Sequence, residues 1–241
     1  MKKFIAMLLA LTMVLSFVAC GNNNNVPENN NDGQETSDLV DQTEPAKDDK
    51  KEETSNNSKG ITLEKLMKAK ESPESDFECL DQGDGTMAVM RYVGNDEIVV
   101  IPDTWNGKEI TTISSYVFSN DSPVKAIRLS DSVSTLMLGA FGLNASLEIV
   151  VCGSGLTTIE EGVFQECTSL HTVVLNDGLQ TIRGVAFGGC VALDELEIPA
   201  SVTEIQPMTF FGIEQDIEII GEAGSAAETH AASEGIAFKA K

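Results

Sequence analysis

The sequence predicts a repeat solenoid built from short parallel strands, and three observations support this fold class. Five phenylalanines recur at an interval of 23 residues without exception: Phe118, Phe141, Phe164, Phe187 and Phe210. An aliphatic residue lies five positions before each of them, and another lies eight positions before. After each of the first four, apolar residues at nine and eleven positions alternate with their neighbours as they would in a strand.

A single 23-residue unit cannot bury its own apolar positions, so successive units must stack and cover one another. Strand spacing of about 4.8 Å then sets the rise from one rung to the next. We expect the phenylalanine column, together with the residues nine and eleven positions after it, to form the core. The residues eight and ten positions after each Phe are expected to face solvent.

Residues 1–19 have the pattern of a cleavable export signal. Lys2 and Lys3 precede an apolar run that begins at Phe4 and ends at Ala19. Such a run is marginal for spanning a hydrocarbon core of about 30 Å, and the small side chain of Ala19 is typical of a processing site. A permanent membrane anchor is the alternative interpretation.

The residues Phe17-Val18-Ala19-Cys20 resemble the lipobox of bacterial lipoproteins, whose cysteine is lipid-modified and becomes the new N-terminus. Phe17 departs from the leucine that is usual in that motif. The resemblance implies lipidation of Cys20, and each buried CH2 of an acyl chain contributes about 0.8 kcal/mol to membrane attachment. We therefore expect an extracytoplasmic protein that is held at a bacterial membrane or cell surface by lipid on Cys20.

Residues 20–60 are expected to be a disordered linker that starts at the lipidated cysteine. Asn and acidic residues dominate this segment, and it has few large apolar side chains with which to offset chain entropy. Forty flexible residues have a root-mean-square reach of roughly 35 Å, which makes the segment a spacer.

Residues 61–109 are expected to cap the first rung with a helix and a β-hairpin that turns at Gly83-Asp84-Gly85. Residues 110–241 are expected to hold the repeats of period 23 and a C-terminal cap. In that cap, Ser225 and Gly235 have the residue types that begin and end a helix. Asp216 stands where an apolar residue is due after Phe210, which suggests a one-residue insertion there.

Several stretches of the repeat resemble the BspA-type, or Treponema pallidum-type, leucine-rich repeat. They include Leu156-Thr157-Thr158-Ile159, Cys167-Thr168-Ser169-Leu170 and Ile198-Pro199-Ala200-Ser201-Val202. The resemblance covers roughly residues 85–241. It implies a curved, right-handed solenoid without catalytic groups of its own, in a bacterial surface or secreted protein of a kind that includes adhesins.

The outward strand positions are the candidate binding surface, because solenoids bind through exposed repeat faces. The residues proposed for binding are Arg128, Ile149, Val151, Thr172, Val174, Glu195 and Glu197. They grade from basic through aliphatic to acidic, as in a patch that docks a partner protein. The alternative is that β-branched residues simply suit strands.

Cys167 and Cys190 occupy the same column, three positions after Phe, and two interpretations remain open. Adjacent rungs bring such residues close enough for a disulfide. Alternatively, both are buried thiols that bond a turn carbonyl, as Asn144 in the same column favours. Cys152 is expected to point inward on a strand, and Cys79 has no assigned role.

Composition narrows the function classes. A formal net charge of −22 disfavours nucleic-acid binding, which depends on Lys and Arg. His171 and His230 are the only histidines, and neither lies near an expected nucleophile or set of metal ligands. We therefore expect a non-catalytic protein without cofactor or metal that binds an extracellular protein or glycan. A surface-anchored hydrolase and a purely structural envelope spacer are the alternatives.

Overall fold

The computed structural model describes residues 60–119 and 122–241. The predicted signal segment, Cys20 and all but the last residue of the predicted linker lie outside these residues. The helices are α1 (Leu63–Met67) and α2 (Ala226–Glu234), and a 3-10 turn spans Glu74–Asp76. The strands are β1 (Phe77–Asp81), β2 (Met87–Tyr92), β3 (Ile98–Val100), β4 (Thr104–Trp105), β5 (Lys108–Ile113), β6 (Ala126–Arg128), β7 (Thr135–Leu136), β8 (Ile149–Val151), β9 (Thr158–Ile159), β10 (Thr172–Val174), β11 (Thr181–Ile182), β12 (Glu195–Glu197), β13 (Glu204–Ile205), β14 (Glu218–Gly221) and β15 (Ala237–Ala240).

These elements form a solenoid in which each rung contributes one strand to each of two ladders. One ladder runs β1-β2-β5-β7-β9-β11-β13, with β4 paired to the side of β5. The other is divided into β10-β8-β6-β3 and β12-β14-β15. Parallel partners lie one period apart, as Thr135 pairs with Thr158 and Thr158 with Thr181. The predicted solenoid of short parallel strands is therefore confirmed.

The N-terminal part is a helix followed by an antiparallel hairpin. The Thr62 side chain caps α1 by accepting a hydrogen bond from the Lys65 amide at 3.2 Å. The turn between β1 and β2 contains two glycines in the left-handed region, and the Asp81 carboxylate accepts the Gly83 amide at 2.9 Å. Since β2 pairs in parallel with β5, the hairpin closes the first rung of the ladder.

The core is a continuous stack of aromatic rings along the axis of the solenoid. All five column phenylalanines are buried, and neighbouring rings lie 5.3 to 5.7 Å apart between centroids. Tyr92 contacts the first ring of the column at 5.5 Å, and His230 contacts the last at 5.9 Å. The stack therefore runs from the hairpin to the C-terminal helix, with the aliphatic columns packed around it.

The C-terminal cap consists of α2 followed by β15. The Ser225 hydroxyl accepts the Glu228 amide at 3.4 Å, and Gly235 ends the helix with φ 73°. Both residues thus cap the helix as predicted. The suspected insertion after Phe210 is wrong, because Leu196 pairs with Ile219 at an offset of one full period. The turn instead buries Ile217 next to Asp216, so the apolar position moves by one residue while the strand register is kept.

Within the described residues, no helix has the length and apolar character needed to cross a membrane.

Candidate functional site

The strand face is the surface formed by the outward side chains of β3, β6, β8, β10 and β12. On each strand, the middle residue points into the core and its two neighbours point away from it, as in any pleated strand. Ile127, Val150 and Leu196 are the inward residues of β6, β8 and β12, and all three are buried. The predicted inward register therefore agrees with the structure on these strands.

Solvent exposure of the first half of this face was predicted wrongly. Ile149 is 2% exposed and Val151 is 8% exposed. Both belong to a second apolar cluster, which also contains Ala126, Val100 and Leu66 of α1. The chain's own helix covers these residues, because an aliphatic strand surface has a lower free energy when it is buried against apolar side chains than when it is exposed to water.

Polar contacts hold this covering segment in place. Arg128 donates from Nη2 to the Ala69 carbonyl at 3.0 Å, so its guanidinium binds the end of the α1 segment. The Ser72 amide donates to the Val100 carbonyl at 2.9 Å, and the Ser72 hydroxyl accepts the Val100 amide at 3.1 Å. Arg128 therefore has an intramolecular partner, which the sequence prediction did not include.

The second half of the face remains open, and we call it the open strand face: Thr172, Val174, Glu195 and Glu197. Val174 is 38% exposed, and both glutamates are exposed. The inward residue of this rung, Val173, is only partly buried, because β10 and β12 belong to different sheets. A cavity of about 190 Å³ lies at the division, between Val174 and Glu197.

The open strand face is acidic at its edge. Glu197 pairs with Lys241 at 2.5 Å, and this contact raises the pKa of the lysine. No cation of the described residues is paired with Glu195, which leaves its carboxylate free for an external group. The predicted gradient from basic to acidic thus reduces to an aliphatic centre with an acidic rim.

Cys167 and Cys190 are free, buried thiols in the structure. The Cys167 Sγ donates to the Phe141 carbonyl at 3.2 Å, and the Cys190 Sγ donates to the Phe164 carbonyl at 3.0 Å. One rung earlier, the buried Asn144 amide donates to the Val124 carbonyl at 3.3 Å. The column therefore binds turn carbonyls, as the thiol interpretation expects.

Burial suppresses the reactivity of the thiols. It raises the pKa of Cys152 and of Cys167 to about 12 and that of the half-buried Cys79 to about 11. His171 is exposed, and its Nδ1 lies 2.9 Å from the Thr172 hydroxyl. His230 packs on Phe210 in the C-terminal cap. In residues 60–119 and 122–241, no three metal-binding side chains converge.

A pocket between neighbouring turns of the phenylalanine column escaped sequence analysis. Tyr116, two positions before Phe118, is the aromatic residue in its lining. The available signal was the column two positions before each Phe, which holds Tyr116, Gly139, Gly162, Val185 and Met208. Apolar periodicity identifies the buried columns only, so this column of mixed large residues and glycines was not identified from the sequence.

Comparison with known proteins agrees with this architecture. The BspA type leucine rich repeat region matches residues 98–215, in six copies. The structure of the leucine-rich repeat protein of T. pallidum is similar with 26% sequence identity and a TM-score of 0.59, over 63% of this chain and 71% of that one. A leucine-rich repeat protein from Bacteroides ovatus is similar in fold, with 24% identity and a TM-score of 0.52 over 61% of this chain and 39% of that one.

No protein of curated function matches the sequence significantly. The repeat count, the matched residues and the shared fold nevertheless agree with the 23-residue period and the stacked phenylalanine column. The repeat region of this chain belongs to the BspA-type leucine-rich-repeat family.

Proposed function

We propose that this protein is a non-catalytic binding protein, tethered outside a bacterial cell by lipid on Cys20, whose open strand face docks a partner protein. The observation that carries the proposal is the division of the strand face. One half is covered by α1, whereas the other half presents Val174, with Glu195 and Glu197 beside it, to solvent. A repeat protein of this family has extended faces of this kind available for binding.

The chemistry of the open strand face indicates the kind of partner. An apolar centre supplies most of the binding free energy when it is fully covered, and charged rims mainly set the association rate and its salt dependence. Here the centre is Val174 and the rim is Glu195 and Glu197. We therefore expect a partner that inserts an apolar side chain and surrounds it with Lys or Arg.

The matched pair Val174→Glu and Val191→Glu tests this proposal. Val191 is 63% exposed and lies outside the strand face, so both variants add the same charge to an exposed position. The full chain is titrated onto immobilised extracellular-matrix and bacterial-surface fractions. We expect saturable binding that Val174→Glu reduces at least tenfold and Val191→Glu leaves unchanged. Equal binding by both variants would place the partner elsewhere, and no saturable binding by the wild type would favour the spacer alternative.

The lipid anchor is tested separately. The support for it is the basic start, the apolar run and the lipobox-like residues that end at Cys20. We expect cells that express Cys20→Ala to incorporate no labelled fatty acid into the protein and to release it into the medium. Unchanged labelling of this variant would refute the anchor and leave the strand-face proposal intact.

A further inference from the structure

The Tyr116 pocket lies between the turns that carry the phenylalanine column, away from the strand face. Its volume is about 360 Å³, within the range of small-ligand sites. Tyr116, Leu138 and Leu143 supply the apolar lining, and each is about half exposed. Glu161 and Gln165 supply the polar lining. The pocket is therefore mostly apolar, with a few polar groups that can orient a ligand.

Glycines line the pocket, and their lack of a side chain allows the tyrosine ring to pack directly against the backbone. A Cβ on Gly139 would lie only 2.6 Å from Cε1 of Tyr116, and Gly139 has φ +63°. The ring therefore rests against bare backbone while 52% of the residue stays exposed. Gly162, at the same position one rung later, leaves similar room beneath Gln165.

Core stability does not account for the residues that line this pocket. Tyr116 and Leu143 adopt φ of 59° and 66°, a conformation that is unfavourable for residues other than glycine. The equivalent position has a positive φ in every later rung and holds glycine in the next two rungs and Val185 and Met208 in the two after them, so the repeat itself does not require an aromatic side chain there. Because only about half of each residue is buried, burial offsets only part of this cost.

The backbone around the pocket is already paired from rung to rung. The Tyr116 amide donates to the Gly139 carbonyl at 3.3 Å, and the Gly139 amide donates to the Glu161 carbonyl at 3.3 Å. The Leu143 amide donates to the Gln165 carbonyl at 2.7 Å. A peptide that binds by adding a strand needs a free row of amides and carbonyls, and these turns do not offer one.

We propose that the Tyr116 pocket binds a neutral pyranose sugar. A pyranose has an apolar face of C–H groups, which suits the electron-rich face of an aromatic ring, and a rim of hydroxyls. The Glu161 carboxylate accepts hydrogen bonds from hydroxyls, and the Gln165 amide both donates and accepts them. An anionic sugar is disfavoured by Glu161 and by the chain's net charge of −22. The site is separate from the open strand face, so the inference stands independently of the protein partner proposed above.

Ring signals of tyrosine in NMR spectra of the full chain provide the test, because the chain has only two tyrosines and Tyr116→Phe assigns their resonances. The probes are the neutral disaccharides N,N′-diacetylchitobiose and cellobiose, the anionic sialyllactose, and N-acetylphenylalanine amide. We expect at least one neutral disaccharide to shift the Tyr116 ring signals saturably, and sialyllactose to bind at least tenfold more weakly.

The variants separate ring stacking from a general effect on the turn. Tyr116→Ala is expected to weaken disaccharide binding at least tenfold, as read from protein amide shifts, whereas Tyr116→Phe retains binding within twofold. Met208→Ala is the matched control, because Met208 is also about half exposed and has φ 63° at the same repeat position outside the pocket. An unchanged far-UV circular dichroism spectrum verifies that each variant is folded.

The proposal is overturned if no disaccharide moves the Tyr116 signals, if Tyr116→Ala binds as tightly as the wild type, or if only N-acetylphenylalanine amide binds. Sialyllactose binding as tight as that of the neutral sugars would also refute a neutral ligand. None of these results bears on Val174, so failure here is distinguishable from failure of the protein-docking proposal.

Discussion

Substitution of Phe164 by alanine tests whether the aromatic stack is the main source of stability. Phe164 is fully buried, and its ring is stacked on Phe141 at 5.4 Å and on Phe187 at 5.3 Å, with interplanar angles of 5° and 13°. Phe→Ala in a core costs about 3–5 kcal/mol through lost transfer free energy and the cavity left behind. Each aromatic contact adds about 0.5–1.5 kcal/mol. With neighbours on both sides, we expect a loss near the upper end, about 4–5 kcal/mol.

Urea denaturation of the full chain measures this loss, and thermal unfolding gives a second estimate. In a domain of this size, 1 kcal/mol corresponds to about 2–4 °C in Tm, so Phe164→Ala is expected to lower Tm by about 8–20 °C. Because repeat proteins can unfold in stages, circular dichroism and tyrosine fluorescence must give coincident transitions before a single free energy is assigned.

Phe211→Ala is the matched control for this experiment. Phe211 follows the last column residue directly but is 55% exposed, so the same substitution is expected to change the unfolding free energy by about 0.5 kcal/mol or less. If the two variants differed by less than 1 kcal/mol, the stacked column would not be the stabilising core, and the solenoid would depend on its hydrogen-bonded ladders instead.

Three further predictions concern the covered strand face, the C-terminal cap and the buried thiols. Val151→Glu places a carboxylate beneath α1 and is expected to destabilise the fold by about 2 kcal/mol or more. Val174→Glu, on the neighbouring strand β10 in the open strand face, is expected to cost about 0.5 kcal/mol or less. Equal urea midpoints for the two variants would contradict the covering role of α1. Burial lowers the pKa of His230, so as pH falls the unfolded chain takes up a proton on this residue, near pH 6.5, before the folded protein does. The unfolding free energy therefore falls as pH drops below that value. His230→Phe is expected to remove this contribution to the pH dependence of the unfolding free energy, and an unchanged pH dependence would contradict the prediction. Burial also raises the pKa of Cys167 and Cys190. Iodoacetamide at pH 8 is therefore expected to leave both thiols unmodified in the native protein and to alkylate both in urea, as measured by mass spectrometry. Rapid labelling of the native protein would mean that these turns open.

Much of the architecture follows from the sequence because the same structural unit recurs several times along the chain. A period of 23 residues with a constant Phe requires that equivalent residues meet one rung apart, and the observed pairing of Thr135 with Thr158 follows directly. The helix caps at Ser225 and Gly235 and the hairpin at Gly83–Gly85 are equally local, since they depend on the backbone preferences of single residue types.

The candidate site could be predicted only in part, because exposure depends on segments distant in sequence. Ile149 and Val151 have the correct outward direction on their strand, yet α1, more than 80 residues earlier in the chain, covers them. Nothing in the period indicates where a non-repeating helix will pack. The same reasoning explains Asp216, where the turn rearranges to bury Ile217 without changing the register of β14.

By itself, the sequence determined the solenoid, its period, its phenylalanine column and its two caps, because these depend on apolar periodicity and on local turn chemistry. Only the tertiary structure decided which half of the strand face is open, which carbonyls the Cys167 and Cys190 thiols bind, and that Tyr116 lies over Gly139 to form a pocket. The physical reason is that a side chain becomes buried only when a second surface packs against its own. A single strand or turn determines the direction of a side chain, whereas the segment packed against it determines whether that side chain meets water.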